Sequence, residues 1–184
     1  MPMSLAWLIF RIGILTPWLG YLCWSDAKRR RLPNALTLGG LATGLCTQAV
    51  WGGWAGFTDA LGAAGIAVAF LLIPFLVRAA GAGDVKMLAA SAAFLGMRWM
   101  PLFLMAVSFA GLFVALAMLF TRQVTAVRLK HAFRCVFDWM YDRKAGKAAL
   151  PPKSDERGRV PFGIAIAVGV WVTLGMELYL RLRT

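Results

Sequence analysis

Two aspartates stand out for the company they keep. One opens the stretch DAKRRRLPN (residues 26–34), and the other sits in the glycine turn GAGDVKM (residues 81–87). The chain has only 8 acidic residues in 184, and a carboxylate at the edge of a long apolar segment is costly unless water, a partner or a task keeps it there. A pair of such carboxylates has a defined chemistry. Close together they cannot both ionise cheaply, so they share a proton and titrate as a unit. The ionised member can take a proton from water, while the protonated member polarises a peptide carbonyl and later protonates the leaving amine. That is aspartyl proteolysis, with Asp26 and Asp84 as the candidates and neither role assigned to either residue. Gly81 and Gly83 would let a substrate strand come close to the backbone. Lys86 fits two readings equally, an electrostatic neighbour of the pair or a basic interfacial anchor.

The elements that must position these residues are set by composition. Hydrophobic residues make up 60% of the chain and mean hydropathy is +0.70, well above the share in soluble domains. Several segments approach the roughly 20 apolar residues that cross a bilayer as a helix. We expect an all-α, polytopic membrane bundle forming one domain over residues 1–184, with six spans. These are Leu5–Trp24, Asn34–Trp51, Asp59–Val77, Val85–Gly96, Pro101–Phe120 and Val160–Leu180. No alternation suggests a β-barrel, and no internal repeat is evident. The first span has no basic run before it and no small-residue cleavage site, so it reads as a retained helix. The basic connection 121–159 includes an amphipathic stretch at 127–144, suited to a membrane surface, followed by a polar loop.

Basic residues orient the bundle. With the N-terminus outside, the inner connections 25–33, 78–86 and 121–159 hold sixteen of the twenty Lys and Arg residues. The net charge of +12 is then a topology signal with some attraction to anionic lipid, not the footprint of a nucleic-acid binder. The acids played no part in that assignment, yet it puts Asp26 and Asp84, 58 positions apart in sequence, at the same inner face. Asp59 and Glu177 fall toward the opposite face, and Asp138, Asp142, Asp155 and Glu156 belong to the long loop. Cys23, Cys46 and Cys135 have no paired spacing, and His131 reads as an interfacial side chain, so no metal or cofactor is expected. Trp51, Trp54 and Trp99 fit an aromatic belt. Pro33 and Pro161 suit the opening of helices, and Asp84 suits the positive end of one.

The two aspartate stretches resemble the motifs of type IV prepilin peptidases. DAKRRRLPN matches the first: Asp, a basic run, an aliphatic residue, then Pro33 and Asn34. GAGDVKM matches the second, Gly-x-Gly-Asp-x-Lys and an aliphatic residue, and VPFG (residues 160–163) is similar to a third element that includes Pro161 and Gly163. The resemblance implies a multi-pass peptidase of the bacterial inner membrane. Such an enzyme removes the short leader of prepilins or pseudopilins at the cytoplasmic face, with Asp26 and Asp84 catalytic. Its substrate carries a basic leader followed by a hydrophobic helix.

Larger members carry cysteine pairs between the first two spans and also methylate the new N-terminus. Here only Ser25–Pro33 fills that connection and no Cys-x-x-Cys occurs, so the chain resembles the short, peptidase-only form of tight-adherence (Flp-type) pilus systems, and methyl transfer is not expected. Presenilin-type Gly-x-Gly-Asp proteases are the nearest enzymatic alternative, but they place a Tyr-Asp pair within a span and add Pro-Ala-Leu. Here Ser25 precedes Asp26, and Pro-Ala-Leu is absent. A cation-coupled transporter would place acids near mid-bilayer rather than at span ends. A noncatalytic scaffold leaves the two motifs unexplained. Oligomeric state is not legible.

Overall fold

The computed structural model describes residues 5–29, 33–76, 80–120 and 162–183. All regular structure among these residues is helical: α1 (Leu5–Arg29), α2 (Asn34–Leu76), α3 (Ala82–Leu95), a 3-10 turn at Met97–Trp99, α4 (Met100–Phe120) and α5 (Phe162–Arg183). Helices satisfy their own backbone groups, as apolar surroundings require. Four segments are long and apolar enough to cross a membrane: α1, α2, α4 with its preceding turn, and α5. Side chains such as Phe70, Leu72, Leu112 and Phe113 face outward, as lipid-facing residues do. The connection 121–159, the stretch 127–144, His131 and Pro161 lie outside the described residues.

Among the described residues, the six spans expected from sequence appear as five helices, with four segments long and apolar enough to cross a membrane. The expected second and third are two arms of α2, and the expected fourth is the short α3. The arms meet at Gly53, whose φ of 60° and ψ of −149° belong to a region that glycine alone enters cheaply. Beyond it the chain doubles back, bringing Gly56 so near the Gln48 carbonyl that any Cβ would collide with it. Both arms then pack on α3. Ala60 and Ala64 of the second arm join Ala89 and Ala93 of α3, flanked by Leu41 and Leu45 of the first. Small residues here allow the close backbone approach that substitutes for a hydrophobic driving force in lipid.

Two helix ends also differ from expectation, and both changes bear on the aspartates. α1 continues past Trp24 to Arg29, so Asp26 lies inside the helix rather than at its end. Long basic side chains are good helix formers and extend over neighbouring apolar surface. Lys28 does this, its Nζ lying 5.2 Å from the Trp24 ring centroid. α3 begins at Ala82 rather than Val85. The reason is Asp84 itself, whose Oδ2 accepts the Gly81 N–H at 2.9 Å, the reach-back bond of an acid in the first turn.

The main core joins α1 (Leu15, Leu19, Leu22), α3 (Met87, Leu88), α4 (Phe103, Val107) and α5 (Ile166, Val170). A polar cluster closes its far end, around the last turn of α3. Arg11 Nη1 and Gln48 Nε2 both donate to the Phe94 carbonyl, at 3.2 and 3.3 Å. Arg11 Nη2 reaches both carboxylate oxygens of Glu177 at 2.6 Å, and Asp59 Oδ2 accepts the Met97 N–H at 2.9 Å. The turn at Gly96 has a φ of 77°, and a Cβ there would come within 2.6 Å of Asp59 Oδ2.

Candidate active site

Asp26 projects from the last turns of α1 and is 8% exposed. Its Oδ2 accepts the backbone N–H of Gly163, in the first turn of α5, at 3.1 Å. One turn earlier on α1, the Cys23 thiol donates to the Gly163 carbonyl at 3.5 Å. Two side chains of α1 therefore grip one residue of α5. Asp84 is half-buried in the first turn of α3 and bonded to Gly81, with Gly83 beside it in the same turn.

The two aspartates belong to one end of the bundle. Lys86 Nζ, two residues beyond Asp84, donates to Asn34 Oδ1 at 2.9 Å, so α3 and α2 start side by side. Pro33 opens α2, its carbonyl accepting the N–H groups of Leu36 and Thr37 at 3.1 Å. Trp18 Nε1 of α1 donates to the Leu36 carbonyl at 3.0 Å, which places Asp26, two turns further along α1, beyond the start of α2. At the other end of α3, ten residues and about 15 Å from Asp84, lie Phe94 and its polar cluster. The sequence-derived separation of Asp26 and Asp84 from Asp59 and Glu177 thus matches two ends of one helix.

Of the residues singled out in sequence, Asp26 and Gly163 meet directly, as do Asp84 with Gly81 and Lys86 with Asn34. The grip of Cys23 and the far-end cluster of Arg11, Gln48, Asp59 and Glu177 were missed. An arginine and a glutamate each inside an apolar span do carry a signal, because each needs an opposite charge to stay there. A cavity of about 270 Å³ opens between α1 and the first arm of α2, lined by residues that include Ile14, Trp18, Gly39, Thr43 and Phe94. None of the described residues lining it is ionisable. Among the described residues, no group of three or more His, Cys, Asp or Glu side chains could hold a metal ion.

A helical bundle whose long apolar segments can cross a membrane, with Asp26 bonded to the first turn of α5 and Asp84 in the first turn of α3, defines a helical membrane protein. The type IV leader peptidase family model matches residues 13–116, more than half of the chain, and the protein belongs to that family. No curated protein and no solved structure matches it. The matched segment contains both aspartate motifs and ends before α5 begins.

Proposed function

We propose that this protein is an aspartyl endopeptidase of the bacterial inner membrane. It removes the short leader of type IV prepilins or Flp-type pseudopilins at the cytoplasmic face, with Asp26 and Asp84 as the catalytic pair. The observation that carries the reading is the joint position of the two motif aspartates at one bundle end, in a chain of the leader peptidase family.

The chemistry needs one shared proton. The ionised carboxylate takes a proton from water as its oxygen attacks the scissile carbonyl carbon, while the protonated partner donates a hydrogen bond to the carbonyl oxygen. Collapse of the tetrahedral intermediate breaks the C–N bond, and the partner that polarised the carbonyl gives its proton to the leaving amine, so the pair again holds one proton. The leader leaves with a new carboxyl terminus and the pilin with a new amino terminus. Lys86, bonded to Asn34, holds the start of α3 beside the start of α2 and so fixes the turn that carries Asp84. Supporting roles go to Gly81, Gly83, Pro33, Asn34, Pro161 and Gly163. The membrane itself orients the hydrophobic helix of the substrate.

Purified protein in lipid nanodiscs, incubated with a panel of type IV and Flp-type prepilins, tests the reading by mass spectrometry of the products. The expected result is a single cut between basic leader and hydrophobic segment in at least one panel member. Absence of any cut, or cuts inside the hydrophobic segment as a presenilin-type protease makes, overturns it.

Orientation has its own test. With sixteen of twenty basic residues on the proposed inner side, Lys153→Cys in a cysteine-free background should resist an impermeant maleimide in intact cells. It should react once the cells are opened. Labelling from outside would reverse the topology and put the proposed cleavage on the wrong face.

A further inference from the structure

The last helix lies outside the segment that the family model matches, yet it touches Asp26 more intimately than a packing neighbour needs to. We infer that Gly163 is a positioning residue for Asp26: its backbone N–H fixes the carboxylate, and no larger residue fits in its place. The inference rests on the reading of Asp26 as catalytic.

Three observations carry it. The first is the bond itself, Gly163 N–H to Asp26 Oδ2 at 3.1 Å on a side chain only 8% exposed. In surroundings so poor in water, this donor fixes which way the carboxylate plane turns. The second is room. A Cβ on residue 163 would stand 2.8 Å from Asp26 Oδ2 and 3.4 Å from its Cβ and Cγ. Aspartate has no long flexible arm to swing aside, so relief would have to come from moving α5 off α1. The third is that α5 is not free to move. The Cys23 thiol holds the Gly163 carbonyl, and Glu177 is paired with Arg11 at the far end. Asp26 lies 15 residues beyond Arg11 on α1, and Glu177 lies 14 beyond Gly163 on α5. Both intervals are about 21–23 Å of helix, so the antiparallel helices are fastened at matched points. Gly13 and Gly175 on the same helices have nothing within 4 Å of a built Cβ, and the close approach at Gly169 is to Val107 of α4, so the close approach to a carboxylate belongs to position 163.

Two variants separate the donor from the space around it. Gly163→Ala adds the methyl group, whereas an amide-to-ester change at Gly163 removes only the N–H and keeps the shape. Both, with wild type and the controls Gly13→Ala and Gly175→Ala, would be made by cell-free synthesis into nanodiscs and assayed on a cleavable prepilin. A hydrogen bond to a charged group is worth enough to predict a fall in kcat of about 10- to 100-fold for the ester variant, with KM within about twofold. Gly163→Ala should lose at least as much, and the controls should match wild type. A second readout does not need cleavage. Infrared bands of the Asp26 carboxyl, identified by difference against Asp26→Asn, should shift in the ester variant. Full activity with an unshifted band in the ester variant overturns the inference, even if Gly163→Ala fails, because that pattern leaves only packing. If wild type cuts no prepilin, the peptidase reading falls and the infrared shift alone decides whether Gly163 sets the Asp26 carboxyl.

Discussion

Asp26→Asn and Asp84→Asn should each abolish leader removal, a loss of at least about 10³-fold, the scale of positioned acid–base catalysis. The substitution suits this site because asparagine keeps the shape and one acceptor oxygen. Its side-chain carbonyl can still take the Gly163 N–H at position 26 or the Gly81 N–H at position 84. Helix starts and packing therefore persist, while the group that cycles a proton is gone. The double mutant should be no worse than either single, since residues that act as one unit lose their function together. Asp59→Asn should retain cleavage, because it sits at the opposite end of α3 and an amide oxygen still accepts from Met97 N–H. Asp142→Asn, in the long connection, should retain it as well. The ratio of precursor to mature pilin at matched enzyme levels measures all of these. Substantial cleavage by either motif mutant would rule out the paired mechanism, and loss confined to Asp59→Asn or Asp142→Asn would move the site.

How much of this was legible in the chain depends on whether the determining contacts are local. Apolar runs mark the helices because lipid rewards length and hydropathy directly. The two aspartate motifs are contiguous strings, readable without knowing what folds against them. Helix ends were less legible. The apolar run stops at Trp24 while the helix continues through Lys28 to Arg29, since charged side chains favour helix even where they no longer favour lipid. At α3 the earlier start is Asp84's own work, through its bond to the Gly81 N–H. The reversal inside α2 does have a local sign, the Gly52-Gly53 pair, and a paired glycine is a known turn signal. What the string does not mark is which of the two turns back, because that depends on Gln48 and Asp59 both reaching the end of α3. Contacts such as Asp26 with Gly163, 137 positions apart, are a property of the assembled bundle and leave no mark on nearby sequence.

Arg11 with Glu177 shows the same limit at its most consequential, and it yields the largest expected effect on stability. Arg11 is 1% exposed and Glu177 2%, in helices that bury their polar groups away from water. Glu177→Gln removes the charge that compensates Arg11 while leaving its guanidinium buried, with the Phe94 carbonyl at 3.2 Å and the Trp7 ring 5.5 Å away. Among the described residues, nothing accepts from Arg11 Nε even in the intact pair. Breaking a buried pair on one side costs about 3–5 kcal/mol, more than a surface pair could. Arg181 does not rescue it. It too bonds Glu177 Oε1 at 2.6 Å, but its side chain is 25% exposed and turns to water when its partner is gone. The destabilisation should appear as earlier unfolding in mixed-micelle denaturant titrations, and Arg11→Met should cost less, because Glu177 keeps its pair with Arg181. Combining Arg11→Met with Glu177→Leu removes both charges and fills the space with apolar atoms, so the double variant should recover most of the stability lost by either single. A double variant as unstable as the sum of the singles would mean that the pair is not what holds α1 to α5. An unchanged Glu177→Gln would mean that the Arg11 charge is already compensated by the α3 carbonyl end alone.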